Sequence, residues 1–135
     1  MNPILRNILA VIAGIVIGSI INSGLVNLGP SIIPPPEGAD LTTIDGIKAS
    51  MELFEFKNFI FPFLAHALGT LAGAFTVAKL AANNNMKFAM GIGAFYLLGG
   101  ISVIMMVGGP LWFNILDLVV AYIPMGYLGG KLAAR

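Results

Sequence analysis

The chain has 135 residues, of which 58% are hydrophobic and 10% charged, with a formal net charge of +1. Soluble domains carry about 25% charged residues, so seven basic and six acidic side chains cannot clothe a water-facing surface of this length. These figures exclude an ordinary soluble enzyme, a disordered tail and a nucleic-acid binder, and leave a polytopic membrane protein.

A helix needs about 20 apolar residues to cross ~30 Å of hydrocarbon. Ile8 to Leu28 is free of charge and predicts a first span over about 5–28. Arg6 followed by an apolar run resembles a secretory signal, but no small-x-small cleavage site follows it. The segment is therefore expected to remain as a membrane helix.

A long outer loop follows over 29–58. It opens with Gly29-Pro30 and carries Pro34-Pro35-Pro36, a sequence that favours stiff polyproline II geometry. Thr42-Thr43-Ile44-Asp45 has capping-box spacing, with Thr42 as the N-cap and Asp45 reaching back. Ile44, Ile47, Met51 and Phe54 then recur at helical spacing. A short amphipathic helix is expected there, lying on the membrane surface or roofing the bundle. The stretch Phe54 to Phe63 holds five phenylalanines. With Trp112 it reads as an aromatic anchor at headgroup level, and less readily as a portal for a hydrophobic ligand.

The second span is predicted over 59–82, with Pro62 in its first turn, where a missing N–H costs little. Asn83-Asn84-Asn85 suits a tight turn, which makes the second and third helices adjacent and antiparallel. Phe88 to Leu116 is uncharged for 29 residues, too long for one ordinary span. Gly108-Gly109-Pro110 divides it, giving a third helix over 86–107 and a fourth over 111–133. Pro124 falls within the fourth and is expected to kink it. The expected fold is all-α: one domain over 1–135, a four-transmembrane-helix bundle with a short amphipathic helix in its outer loop.

Charge supports this count. Arg6, Lys79, Lys87, Lys131 and Arg135 fall on one side, while the other holds only Lys48 and Lys57 among basic residues, beside five acidic ones. Basic residues gather on the cytoplasmic side, so both termini are expected inside. Such a bias disfavours a dual-topology antiparallel dimer.

Small residues line single helix faces at Gly14 and Gly18, at Gly69 and Gly73 after Ala65, and at Gly126 and Gly130. Lipid provides no hydrophobic force between helices, so close backbone approach must hold them. These stripes are expected to pack mainly within the chain, leaving homo-oligomerisation or a larger membrane-protein partner open. Lys79-Leu80-Ala81-Ala82 recurs as Lys131-Leu132-Ala133-Ala134, which suggests two hairpins related by a pseudo-two-fold axis.

Two ionisable residues lie well inside the spans, His66 and Asp117. Each is ~10 Å in from the outer helix end at 1.5 Å per residue. Asn22, Thr70 and Asn114 lie at similar depth, forming a polar layer in the outer leaflet. A buried aspartate costs ~2.5–3.5 kcal/mol on insertion scales, so Asp117 should face the bundle. A carboxylate beside an imidazole can bind a proton, a cation or a polar headgroup. The bland alternative is that the two groups satisfy each other and set helix register. Apart from the basic residues at the helix ends, no acidic or basic residue lies in the inner half of any span.

Signatures of enzymes are missing. There is no cysteine, and one histidine with one intramembrane acid cannot make a three-ligand metal site. No phosphate loop, nucleophile elbow or zinc-protease motif occurs. No cofactor and no metal are expected, and the chain is expected not to be an enzyme.

The stretches Ile33-Pro34-Pro35-Pro36-Glu37-Gly38-Ala39-Asp40, Phe61 to Thr70 and Tyr122 to Gly126 resemble those of small, uncharacterised four-span bacterial inner-membrane proteins. The resemblance implies a bacterial inner-membrane location and transfers no activity. Small multidrug transporters share the size and span count but rely on a first-span glutamate, and this first span has no acidic residue. The expected function is that of a non-catalytic packing or accessory membrane component. The alternative is a small transporter or channel using the layer around His66 and Asp117.

Overall fold

A computed structural model describes residues 1–135. It is all-helical: α1 (Pro3–Ile32), α2 (Ile44–Ser50), α3 (Ile60–Leu80), α4 (Asn85–Val107), α5 (Leu111–Val120) and α6 (Ile123–Ala133), with single 3-10 turns at Met51–Leu53 and Phe56–Phe59. Four helical segments are long and apolar enough to cross a membrane: α1, α3 with its preceding turn, α4, and α5 with α6. The protein is a four-span membrane bundle. Its large exposed side chains, such as Ile8, Ile12, Phe95 and Leu98, are apolar, as a lipid-facing surface requires.

The first helix runs past the span expected over 5–28. Helix α1 continues through Gly29 and Pro30 to Ile32, and the Ile33 N–H donates to the Gly29 carbonyl at 2.8 Å. A proline near a helix end forfeits one backbone bond and need not stop the helix. Gly29 is buried against Phe61, where a Cβ would lie 2.8 Å from the Phe61 Cβ. Packing against α3 thus carries α1 past the expected loop start.

In the loop, the α2 cap is Thr43 rather than Thr42. The Thr43 hydroxyl accepts from the Gly46 N–H at 2.9 Å. Thr42 instead donates its backbone N–H, at 2.9 Å, and its hydroxyl to Asp40 Oδ1. These bonds hold the Asp40 carboxyl below the usual aspartate range. The Asp40 N–H donates to Ser50 at 2.8 Å, closing the segment onto α2. Helix α2 packs over the loop end of α4.

The turn between α3 and α4 uses Asn84 at φ 51°, left-handed geometry that asparagine tolerates. Arg6 Nε donates to the Leu80 carbonyl at 2.7 Å, and Asn85 donates to the Ala78 carbonyl at 2.6 Å. Two of the free C-terminal carbonyls of α3 are thereby satisfied.

The fourth span breaks at Ala121–Tyr122. Pro124 lacks an N–H, so the Val120 carbonyl loses its donor one turn on, and α6 restarts with the proline in its first turn.

Helix α3 is the hub, packing against α1, α4 and α6. The first and fourth spans scarcely touch, whereas the second and third pack closely. A pseudo-two-fold axis would equate those two pairs, so the bundle does not follow the hairpin repeat suggested by the sequence.

Close backbone approach forms the seams. A Cβ on Gly14 would lie 2.8 Å from the Gly73 carbonyl oxygen, and one on Gly69 would lie 2.9 Å from that of Gly18. Gly126 faces Ala89 and Gly93, and Gly130 faces Met86. Around these seams Ala10, Ala74, Val77, Ala78, Ala89 and Ile92 form the largest core, in the half nearer the termini.

Candidate functional site

Helix α3 presents His66 one and a half turns below its start, and α5 presents Asp117 at the same level from the other side. The imidazole Nδ1 lies 2.8 Å from Asp117 Oδ1 and 2.9 Å from Oδ2. Facing a carboxylate that only accepts when ionised, the imidazole is placed to donate from Nδ1 to both oxygens. Nε2 remains as the ring's other hydrogen-bonding atom. The Asp117 side chain is 4% exposed and that of His66 22%. The carboxylate is therefore the buried anchor and the imidazole its accessible face.

Tyr122 completes the pair. Its hydroxyl donates to Asp117 Oδ2 at 3.3 Å, and its ring stacks near His66 with centroids 5.8 Å apart and an interplanar angle of 25°. The break at Ala121–Tyr122 rotates Tyr122 relative to a continuous helix, and Gly100 on α4 admits its hydroxyl. A Cβ on Gly100 would lie 2.5 Å from that oxygen.

A cleft of about 190 Å³ opens beside the pair, lined by Asn22, His66, Thr70, Tyr96 and Tyr122 and by the glycine backbone of α3 and α4. It sits where α1 and α4 barely contact each other. Its floor is Tyr96, whose hydroxyl donates to the Ile15 carbonyl at 2.7 Å and lies 3.1 Å from Ser19 Oγ. Gly18 makes room for that hydroxyl as Gly100 does for Tyr122. Below Tyr96 the bundle is the dry alanine and glycine core.

Of the residues singled out by sequence, His66 and Asp117 meet and Asn22 lines the same cleft. Thr70 also lines it, but its hydroxyl donates to the His66 carbonyl on its own helix at 2.8 Å. Asn114 does not join the layer. Its amide donates to the Gly109 carbonyl at 3.3 Å, because Gly108 and Gly109 have positive φ and turn that carbonyl back toward α5. Tyr96 and Tyr122 are more central than their sequence positions suggest. The signals were present: Tyr122 lies two residues before a helix-breaking proline, and Tyr96 lies four before Gly100.

No three histidine, cysteine, aspartate or glutamate side chains gather closely enough to hold a metal ion. No buried side-chain nitrogen or oxygen lacks a hydrogen-bond partner. Compared with known proteins, the chain matches no family model, no curated protein and no solved structure.

Proposed function

We propose that this chain is a small, non-catalytic membrane protein that binds a proton and a small polar solute, reached from the loop end, in the cleft over the His66–Asp117 pair. The observation that carries this reading is the asymmetry of the pair: a buried carboxylate holds a partly exposed imidazole that lines a cleft with Asn22, Thr70 and two tyrosines. A pair serving only helix register gains nothing from a cleft beside it. The break in the fourth span at this level adds support, because interrupted helices place polar backbone where solutes bind in membranes. The glycine seams meet partners within the chain, which weakens the reading of a mere packing subunit. The cleft reaches only as far as Tyr96, so the arrangement fits a one-sided binding state and not an open pore.

The charge bias supports cytoplasmic termini, and the sequence resemblance supports a bacterial inner membrane. The chain has no cysteine, so single cysteines introduced at Glu37 and Asn83 report sidedness directly. They are expected to react from opposite sides, and reaction from the same side would overturn the topology.

Proton binding is tested in proteoliposomes adsorbed on a supported electrode. A pH jump on the loop side should give a transient charge displacement in the wild type. His66→Gln and Asp117→Asn, checked for folding by circular dichroism, should abolish it. A wild type without the transient, or variants that keep it, would sink the proposal.

A further inference from the structure

A second pocket lies at the loop end, away from the His66 cleft. It has a volume of about 700 Å³, and its walls include Lys48 and Glu52 from the roof, Phe54, Phe56 and Phe59 before α3, and Trp112 at the start of α5. Phe56 and Trp112 stack with centroids 5.5 Å apart, and Phe59 meets Trp112 edge-on at 5.5 Å. The aromatic floor is therefore built by mutual packing, with Phe59 buried and Phe56 still 72% exposed.

Two opposite charges share the lining with those rings. Lys48 lies on α2 and Glu52 on the 3-10 turn that follows it. Yet the ion pairs of the protein are Lys57–Glu55 and His66–Asp117 alone. Lys48 and Glu52 line one pocket without neutralising each other or any other side chain. The pocket also lies at the level of the interfacial aromatics, where lipid headgroups are found.

We propose that this pocket binds the headgroup of a zwitterionic phospholipid of the loop-side leaflet. Lys48 takes the phosphate, Glu52 the ammonium, and the Phe56 and Trp112 rings the carbon atoms next to the cationic nitrogen. An ammonium near an aromatic face is attracted by the ring quadrupole. An anionic headgroup without an amine would leave Glu52 as a repulsive neighbour. Charge complementarity thus selects a phosphate joined to an ammonium over a phosphate alone.

Trp112 is the chain's single tryptophan, so its emission reports on the pocket directly. The full chain in maltoside micelles is titrated with dihexanoyl phosphatidylcholine and, separately, with dihexanoyl phosphatidylglycerol, each below its own micelle concentration. The wild type should give a saturable change with a midpoint about fivefold lower for the choline lipid. Glu52→Gln should bring the two midpoints together, and Lys48→Ala should raise both. Both residues are exposed, so neither substitution threatens the fold. A linear response to both lipids, a wild-type midpoint as low for the glycerol lipid, or an unchanged preference in Glu52→Gln would overturn the proposal.

Discussion

The two halves of the bundle are built from different materials. Toward the termini, α1, α3, α4 and α6 meet through glycine and alanine, backbone against backbone, around Ala10, Val77, Ala78, Ala89 and Ile92. Toward the loop, large aromatic and polar side chains intervene: His66, Asp117, Tyr96 and Tyr122 inside, and Phe56, Phe59 and Trp112 at the rim. The difference follows from what holds helices together in lipid. Without a hydrophobic force between them, helices gain by close approach and interhelical hydrogen bonds. The terminal half uses the first, and its glycine and alanine core is closed between the helices. The loop half uses the second, and side chains that hold helices apart also leave a cleft.

The largest effects are expected where the dry half is forced open. Gly14→Leu drives a side chain into the Gly73 carbonyl and Val77, neither of which can move away without shifting α3. Overpacking costs roughly 1–3 kcal/mol or more, so most of the folded yield in detergent should be lost. Gly91→Leu is the matched control. It lies on α4 with nothing within 4 Å of an added Cβ, and should leave the melting temperature unchanged. Equal losses from both would remove the distinction between a seam glycine and a lipid-facing one.

An intermediate effect belongs to the polar pair. Removing one partner of a buried pair costs roughly 3–5 kcal/mol, whereas replacing both with apolar residues is often neutral. Asp117→Leu should therefore destabilise strongly, and the double variant His66→Leu with Asp117→Leu should recover most of the loss in thermal melts. If the loop half carries function, the double variant is stable yet silent in the pH-jump experiment. A double variant that is stable and still gives the transient would reduce the pair to a register device.

The smallest effects lie in the loop. Thr43→Ala removes the N-cap of α2 and should cost about 1 kcal/mol, read as faster amide exchange over 44–50. The same change at Thr42 should leave that exchange nearly intact at neutral pH. Acid provides a further probe. Asp40 is held below its ordinary value, so its contribution to loop order is complete above the unfolded pKa, near 4. That order is lost as pH falls through the lowered folded value, and Thr42→Ala should move the loss to higher pH. An acid midpoint unmoved by Thr42→Ala would show that the bonds to Asp40 do not set it.

Much of this arrangement was legible without coordinates. Uncharged runs bounded by lysine and arginine marked the spans, Pro124 marked the break, and three asparagines marked the turn before α4. His66 and Asp117 stood out because ionisable groups are costly inside lipid. Other features were hidden. The cap lies at Thr43 because Asp40 engages Thr42, although the capping-box spacing to Asp45 pointed to Thr42. Asn114 shares the depth of the polar layer but answers to a carbonyl turned by two left-handed glycines.

Span number and the segregation of charge follow from composition along the chain, because transfer into lipid is a local cost summed residue by residue. Which polar groups meet, and whether space remains beside them, depends on helix rotation and on which glycines let a tyrosine through. Gly18 and Gly100 admit Tyr96 and Tyr122 only once α1, α3, α4 and the broken fourth span are docked. That is a property of pairs of distant surfaces, so it was decided by the tertiary structure alone.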